Sequence, residues 1–200
     1  MVRRVLNVGG NNKSVPLPPQ YAGWEHVLLD IDPRGNPDVV CDARQLTTLP
    51  VNSYDSIYCS HNLEHYHPHE VPRVLAGFWH LLRRDGFAFI RVPDMREVMH
   101  TVVRQDLDID DVLYQSSAGP ITLRDVIYGY GKEIEESGNA FYAHKTGFTQ
   151  KSLRAALVRA GFPVVLEGAG NLEIMAVALK GPANAYVAGL FDVAGPPSGK

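Results

Sequence analysis

The string His61-Asn62-Leu63-Glu64-His65, with His67 and His69 close behind, concentrates ionisable side chains as no other stretch of the chain does. Its spacing is H-x-x-E-H, which binds zinc through two histidines and uses the glutamate as base when the whole string lies on one helix. Here it directly follows the apolar run Tyr54 to Ser60, and Pro68 and Pro72 hold the next helix start downstream, because proline is tolerated only in a helix's first turn. His61 and His65 then share no helical face, and no metal is expected. Without that face, the histidines read as a solvated, hydrogen-bonded cluster beside a pocket.

Three further chemical groups sit at the ends of apolar runs. Asn7-Val8-Gly9-Gly10-Asn11-Asn12 closes the run from Val2 to Val8, and adjacent glycines let a backbone turn tightly and approach a ligand. Asp30 follows about 20 residues later, where an acid can accept both hydroxyls of a ribose. Asp42 ends Asp38 to Asp42 (DVVCD) and could face an adenine edge. The glycines do not spell GxGxxG, and Pro16, Pro18 and Pro19 leave little room for a long phosphate-binding helix.

The elements that must position these groups follow from periodicity. Runs at 2–8, 26–32, 38–42 and 54–60 are β-branched and nearly continuous, the pattern of parallel strands buried on both faces. Val71, Val74, Leu75, Phe78, Leu81 and Leu82 recur at helical spacing, with Arg83 and Arg84 suiting the last turn and Asp85-Gly86 ending it. Gly86 to Pro93 reads as the next strand, and the alternation argues an α/β fold with ligands at the carboxyl ends of the strands. Residues 95–147 show no clean period apart from a helix after Asp94, and read as an irregular, lid-like insertion. Thr149 is an N-cap candidate, with Phe148 and Leu153 spaced as a hydrophobic staple. Leu153, Ala156, Leu157 and Ala160 form one helical face closed by Gly161, and strands follow at 164–166 and 173–179. The end of the chain, GPPSGK, reads as mobile.

Composition narrows the field. Of 200 residues, 45% are apolar and 20% charged, ordinary for a soluble chain able to bury a core. A formal charge of −3 and a pI near 6.2 leave no basic footprint for nucleic acid. Only short apolar runs occur, so neither a signal-peptide core nor a membrane span is expected. Cys41 and Cys59 form no CxxC and read as reduced thiols of a cytoplasmic protein.

Taken in order, the motifs resemble those of the class I S-adenosylmethionine-dependent methyltransferases, in particular the small type 11 methyltransferase-domain group. VLNVGGNN resembles the family's glycine motif, LLDIDP its ribose-binding motif and VVCDARQLTTLP its adenine-side motif. YDSIYCSHNLEH resembles the fourth-strand motif, LRRDGFAFIRVPD the segment after it, and HKTGFTQKSLRAALVRAGF the late helix. The chain departs from the family in having Asn7 where an acid is usual, and Gly9, Gly10, Asn11, Asn12 and Lys13 where a GxGxG run is usual.

The resemblance implies a single Rossmann-like domain over 1–180, with a mostly parallel seven-stranded sheet, flanking helices and the 95–147 insertion before the last helix. Residues 181–200 would form a tail, partly mobile. It implies S-adenosyl-L-methionine as cofactor, held by Asn7, Val8, Gly9, Gly10, Asn11, Asp30, Ile31, Asp42, Ala43, Arg44, Ser60 and His61. It implies methyl transfer to a small or medium-sized acceptor, with His65 first among candidate bases. Glu64 is second, orienting a histidine or facing solvent, and His144 contributes from the lid side. The post-strand loop also resembles the metal-binding loop of ubiquinone-pathway O-methyltransferases, with Glu64 and His65 matching, but His61 replaces its first acid, and magnesium prefers oxygen ligands. The alternative is a methyltransferase-fold binding or scaffold module without turnover, which Asn7 and the depleted glycine run favour.

Overall fold

A computed structural model describes residues 2–116, 119–183 and 185–191. Strands β1 (Arg4–Val8), β2 (Glu25–Asp30), β3 (Val39–Val40) and β4 (Tyr54–Ser60) come first, followed by helix α1 (Val71–Leu81) and strand β5 (Leu82–Pro93). Helix α2 (Met95–Gln105), hairpin β6 (Val112–Ser116) and β7 (Gly119–Thr122), and helices α3 (Leu123–Tyr128) and α4 (Gly131–Ser137) form the insertion. Helix α5 (Gln150–Arg159), strands β8 (Val164–Gly170) and β9 (Glu173–Leu179), and helix α6 (Ala185–Leu190) complete the chain.

The main sheet has seven strands in the order β3-β2-β1-β4-β5-β9-β8. β1 to β5 pair in parallel, and β9 runs antiparallel to both β5 and β8. The expected α/β, mostly parallel seven-stranded fold is thus present. Both faces of the sheet are covered, which is why its strands are apolar without alternation. Leu6, Val8, Ile57 and Ile90 pack on one face with the α1 stripe and with Leu153 and Leu157 of α5. Val5, Tyr58, Phe87 and Phe89 pack on the other with Val187 of α6.

Thr149 caps α5 as expected, its hydroxyl accepting from the Ser152 amide and Ser152 returning the bond in a capping box. Three boundaries differ from expectation. α1 stops at Leu81, so Arg83 and Arg84 lie in β5 instead of a last helical turn. Leu82 turns to an extended backbone and pairs with Tyr54, while Arg83 binds the Asp55 carboxylate at 2.9 Å. Second, the insertion is built of short regular elements around its own small core of Val98, Leu123 and Val126. Its aspartates close turns: the Asp111 carboxylate accepts from the Asp108 amide, and Asp125 forms a capping box with Thr122. Third, the segment after 181 contains α6, whose Val187 is buried; GPPSGK lies outside the described residues. Among the described residues no helix is long and apolar enough to cross a membrane.

Candidate functional site

The carboxyl ends of β1, β2 and β4 meet around a cavity of about 120 Å³. β1 ends in Gly9, whose φ of +72° is open to glycine at little cost. A Cβ there would lie 2.1 Å from Asn62 Nδ2, and one on Gly10 would lie 2.1 Å from Asn7 Nδ2. Asn7 is buried with its amide 3.3 Å from His26 Nε2, so it braces the turn from behind. Asp30 is also buried, and each carboxylate oxygen accepts one amide: Oδ2 from Asn11 at 3.0 Å, Oδ1 from Asp32 at 2.9 Å.

Of the residues expected to hold a cofactor, Gly9, Asn11, Asp30, Ile31, Asp42, Arg44 and His61 line this cavity. Asn7, Val8, Gly10, Ala43 and Ser60 do not; Val8 and Ala43 point into the core, and Gly10 packs on Asn7. Asp42 caps the turn that follows it and grips the Arg44 guanidinium, which also reaches Glu70. Burial would raise the Asp42 carboxyl, but Arg44 overrides it and holds it below the usual range.

The sequence did not reveal that Tyr142 closes this cavity. Its hydroxyl donates to Asp32 Oδ2 at 2.8 Å and accepts from Arg34 Nη2 at 3.0 Å, and Arg34 also meets Glu133 at 3.2 Å. Arg34 beside Asp32 pulls that carboxyl down to about 2. The signal was faint: an Asp-Pro-Arg turn and an aromatic pair some 110 positions apart.

Glu64 lies at the heart of a second grouping. It sits in a single 3₁₀ turn, Leu63–His65, at 1% exposure, so it does not face solvent. Neither of its carboxylate oxygens has a hydrogen-bond partner among the described residues. His61 Nδ1 is 3.5 Å and His144 Nε2 4.0 Å from Oε1. The Glu64 carbonyl accepts from the amides of Lys145 (2.8 Å) and Thr146 (3.2 Å), which docks the returning insertion and brings His144 to this point. His61 Nε2 meets Glu173 Oε1 at 2.7 Å, and Arg91 binds the other Glu173 oxygen. Burial alone would lower His61; the Glu173 and Glu64 carboxylates overcome it and raise it to about 9. In turn His61 keeps Glu64 ionised against the cost of burial.

The ring nitrogens of His65 face two carbonyls, Nδ1 to Ala143 at 3.2 Å and Nε2 to His61 at 3.1 Å. A neutral imidazole donates to only one, and burial lowers its pKa. His144 Nδ1 lies 2.9 Å from the Val126 carbonyl, which fixes the proton there and leaves the Nε2 lone pair toward Glu64. Glu64, His65 and His144 bring one donor atom each within 4.8 Å of one another, a grouping of metal-ligating type in which Glu64 and His65 are the residues that match the metal-binding loop the sequence resembles and His144 is added by the insertion. The expected solvated cluster is confined to His67 and His69, which are exposed and stack on each other at 5.6 Å. A second cavity, about 370 Å³, lies beside the first and shares Asn11, His61, His65 and Tyr142 with it; His144 lines it.

Comparison with known proteins follows this geometry. The family described as "Methyltransferase domain" matches residues 15–90, which excludes the departing glycine turn. A SAM-dependent methyltransferase from Archaeoglobus fulgidus superposes with a TM-score of 0.55 at 17% identity, covering 89% of this chain and 86% of that one. The 1,6-didemethyltoxoflavin-N1-methyltransferase of Burkholderia thailandensis, solved with bound 1,6-didemethyltoxoflavin and S-adenosylhomocysteine, gives 0.52 at 18%, covering 90% and 72%. A SAM-dependent methyltransferase from Methanosarcina mazei gives 0.53 at 16%, covering 89% and 92%. No curated protein sequence matches. The chain has the class I S-adenosylmethionine-dependent methyltransferase fold, and residues 15–90 carry the methyltransferase-domain sequence pattern.

Proposed function

We propose that the protein binds S-adenosyl-L-methionine in the smaller cavity and directs methyl transfer to a small or medium-sized acceptor in the larger one. The observation that carries this reading is Asp30. Each of its oxygens has one lone pair committed to a backbone amide, leaving one each for the two hydroxyls of a ribose. Gly9 and Gly10 keep the neighbouring backbone free of side chains where such a ligand would pass. The donor set fits the cofactor; the cavity volume lies below the roughly 300 Å³ of ordinary ligand sites, so entry calls for an opening of the wall, part of which is Phe141 and Tyr142 from the insertion.

When bound, the cofactor supplies a methyl group on a positively charged sulfur, ready for direct displacement. The chain's part is alignment, exclusion of water and handling of the acceptor's proton. Of the three candidate bases, His144 is best equipped. Its Nε2 lone pair is available, and Glu64 lies 4.0 Å away to stabilise the imidazolium formed on protonation. His65, with both nitrogens turned to carbonyls, orients the loop instead of taking the proton. The free thiols Cys41 and Cys59 fit a reducing, cytoplasmic setting.

The test is transfer of labelled methyl from the cofactor into a pool of small acceptors, with His144→Gln as comparison. A base of this kind is worth typically 10²–10⁴-fold, so H144Q should lose about that factor in turnover and bind cofactor within a few fold of wild type. Cofactor binding without transfer to any acceptor would favour the scaffold reading, which Asn7 in place of an acid supports.

A further inference from the structure

The larger cavity has a composition that selects among acceptors. Its walls combine aromatic and apolar groups, Tyr114 from β6 and Tyr130 before α4 with Pro93, Ile121 and Val126, and ionisable ones, chiefly Asp125, Glu133 and His144. A volume of about 370 Å³ suits one or two fused rings. Neither lysine nor arginine lines it among the described residues.

Its charged groups are already committed. His61 turns Nε2 to Glu173 at 2.7 Å, and Glu64 Oε1 lies 3.5 Å from Nδ1, so its charge is already balanced by two carboxylates. The carboxylates on the wall are Asp125 and Glu133. Asp125 accepts from Thr122 and from the Gly131 amide, and Glu133 accepts from Arg34. Glu64 Oε1 lies 4.0 Å from His144 Nε2, and its carboxylate has no hydrogen-bond partner among the described residues. An anionic substituent entering here would exchange water for carboxylates and π faces and meet only cations already balanced by carboxylates, His61 by Glu173 and Arg34 by Asp32 and Glu133; a neutral or cationic one would not.

We propose that this cavity takes a planar aromatic acceptor that is uncharged or cationic, its hydroxyl or amino group directed to His144, and that it rejects acceptors bearing a carboxylate or phosphate. The proposal rests on the methyl-transfer reading for the word acceptor, while the binding preference stands on the cavity alone. Ring stacking on Tyr114 and Tyr130 supplies affinity, and the carboxylate-lined wall supplies discrimination.

The experiment is equilibrium binding to the full chain, with and without S-adenosylhomocysteine, of four probes of similar size. They are 4-ethylphenol (neutral), tyramine (cationic), 4-hydroxyphenylacetate (anionic) and 4-ethylcyclohexanol (neutral, without a π face). The first two should bind, and the anion should bind at least about tenfold more weakly. The saturated alcohol should also fall well below 4-ethylphenol. Tyr114→Ala, at a residue 39% exposed and outside the buried core, should weaken 4-ethylphenol several-fold.

An anion bound as tightly as the neutral phenol, a saturated ring bound as tightly as the aromatic one, or no phenol bound at all would each overturn the proposal. If S-adenosylhomocysteine fails to bind while the phenols keep this order, the cofactor reading falls and the cavity preference survives.

Discussion

Replacing Glu64 by Gln removes one buried charge and keeps the shape, so its consequence for His61 can be worked out. Two unit charges 3.5 Å apart attract by about 5 kcal/mol at an effective dielectric of about 20. At about 1.4 kcal/mol per pKa unit that sets an upper bound of roughly three units. His61 keeps Glu173 at 2.7 Å and its side chain is 39% exposed, so solvent and the second carboxylate reduce the effect. The expected fall in E64Q is at least about one unit from a value of about 9. Titration of the imidazole carbon resonances reads it directly. His61 is raised in the folded state, so its stabilisation is fully present below pH 6.5 and is lost as pH rises through about 9. After screening, the wild type should lose on the order of 1 kcal/mol of unfolding free energy over that window, and E64Q less, at lower pH. A His61 that titrates in E64Q where it does in the wild type would refute the reasoning, because Glu64 would then exert no field on it.

Other consequences are more direct. Asp30→Asn keeps an acceptor but removes the charge, and should weaken S-adenosylhomocysteine binding about 10- to 100-fold by calorimetry; binding within twofold of wild type would exclude Asp30 from the ribose. Gly9→Ala forces a Cβ onto Asn62 at a φ of +72° and should cost about 1–3 kcal/mol in urea unfolding; an unchanged midpoint would show that the turn relaxes freely. Tyr142→Phe removes the hydroxyl that ties the insertion to the Asp32–Arg34 pair, hydrogen bonds to charged groups worth roughly 1.5–3 kcal/mol. Cofactor association followed by stopped flow should then be faster by about tenfold, and an unchanged or slower rate would mean that Tyr142 does not gate the cavity.

The parallel half of the fold was legible because β1, β2, β4 and β5 are buried on both faces and leave uninterrupted apolar runs that stop at Gly9, Asp30 and Ser60. α5 announced itself through Thr149 and Phe148. The end of α1 was misplaced because Arg83 and Arg84 suit a helical C-terminus in isolation, whereas pairing of Leu82 with Tyr54 and the Asp55–Arg83 contact decide it. The insertion hid its order because its helices and strands span four to seven residues after α2, too short to display a period. At the site, the glycine turn, Asp30 and Asp42 were visible as strand ends. The environment of Glu64 was not, since the His61 that faces it is held by Glu173, 109 positions after Glu64, and His144 is carried in on the Lys145 and Thr146 amides. Histidines that looked solvated in the string are separated by the fold, His61 and His65 inward, His67 and His69 outward.

The central claim is that the cavity bounded by Gly9 and Asp30 is built for an adenosyl cofactor. Calorimetric titration of the wild-type chain with S-adenosylhomocysteine tests it without any knowledge of the acceptor. One equivalent should bind with a dissociation constant below about 1 mM, and the Asp30→Asn chain should show the weakening given above. Absence of heat at millimolar ligand, with the chain folded, would contradict the account.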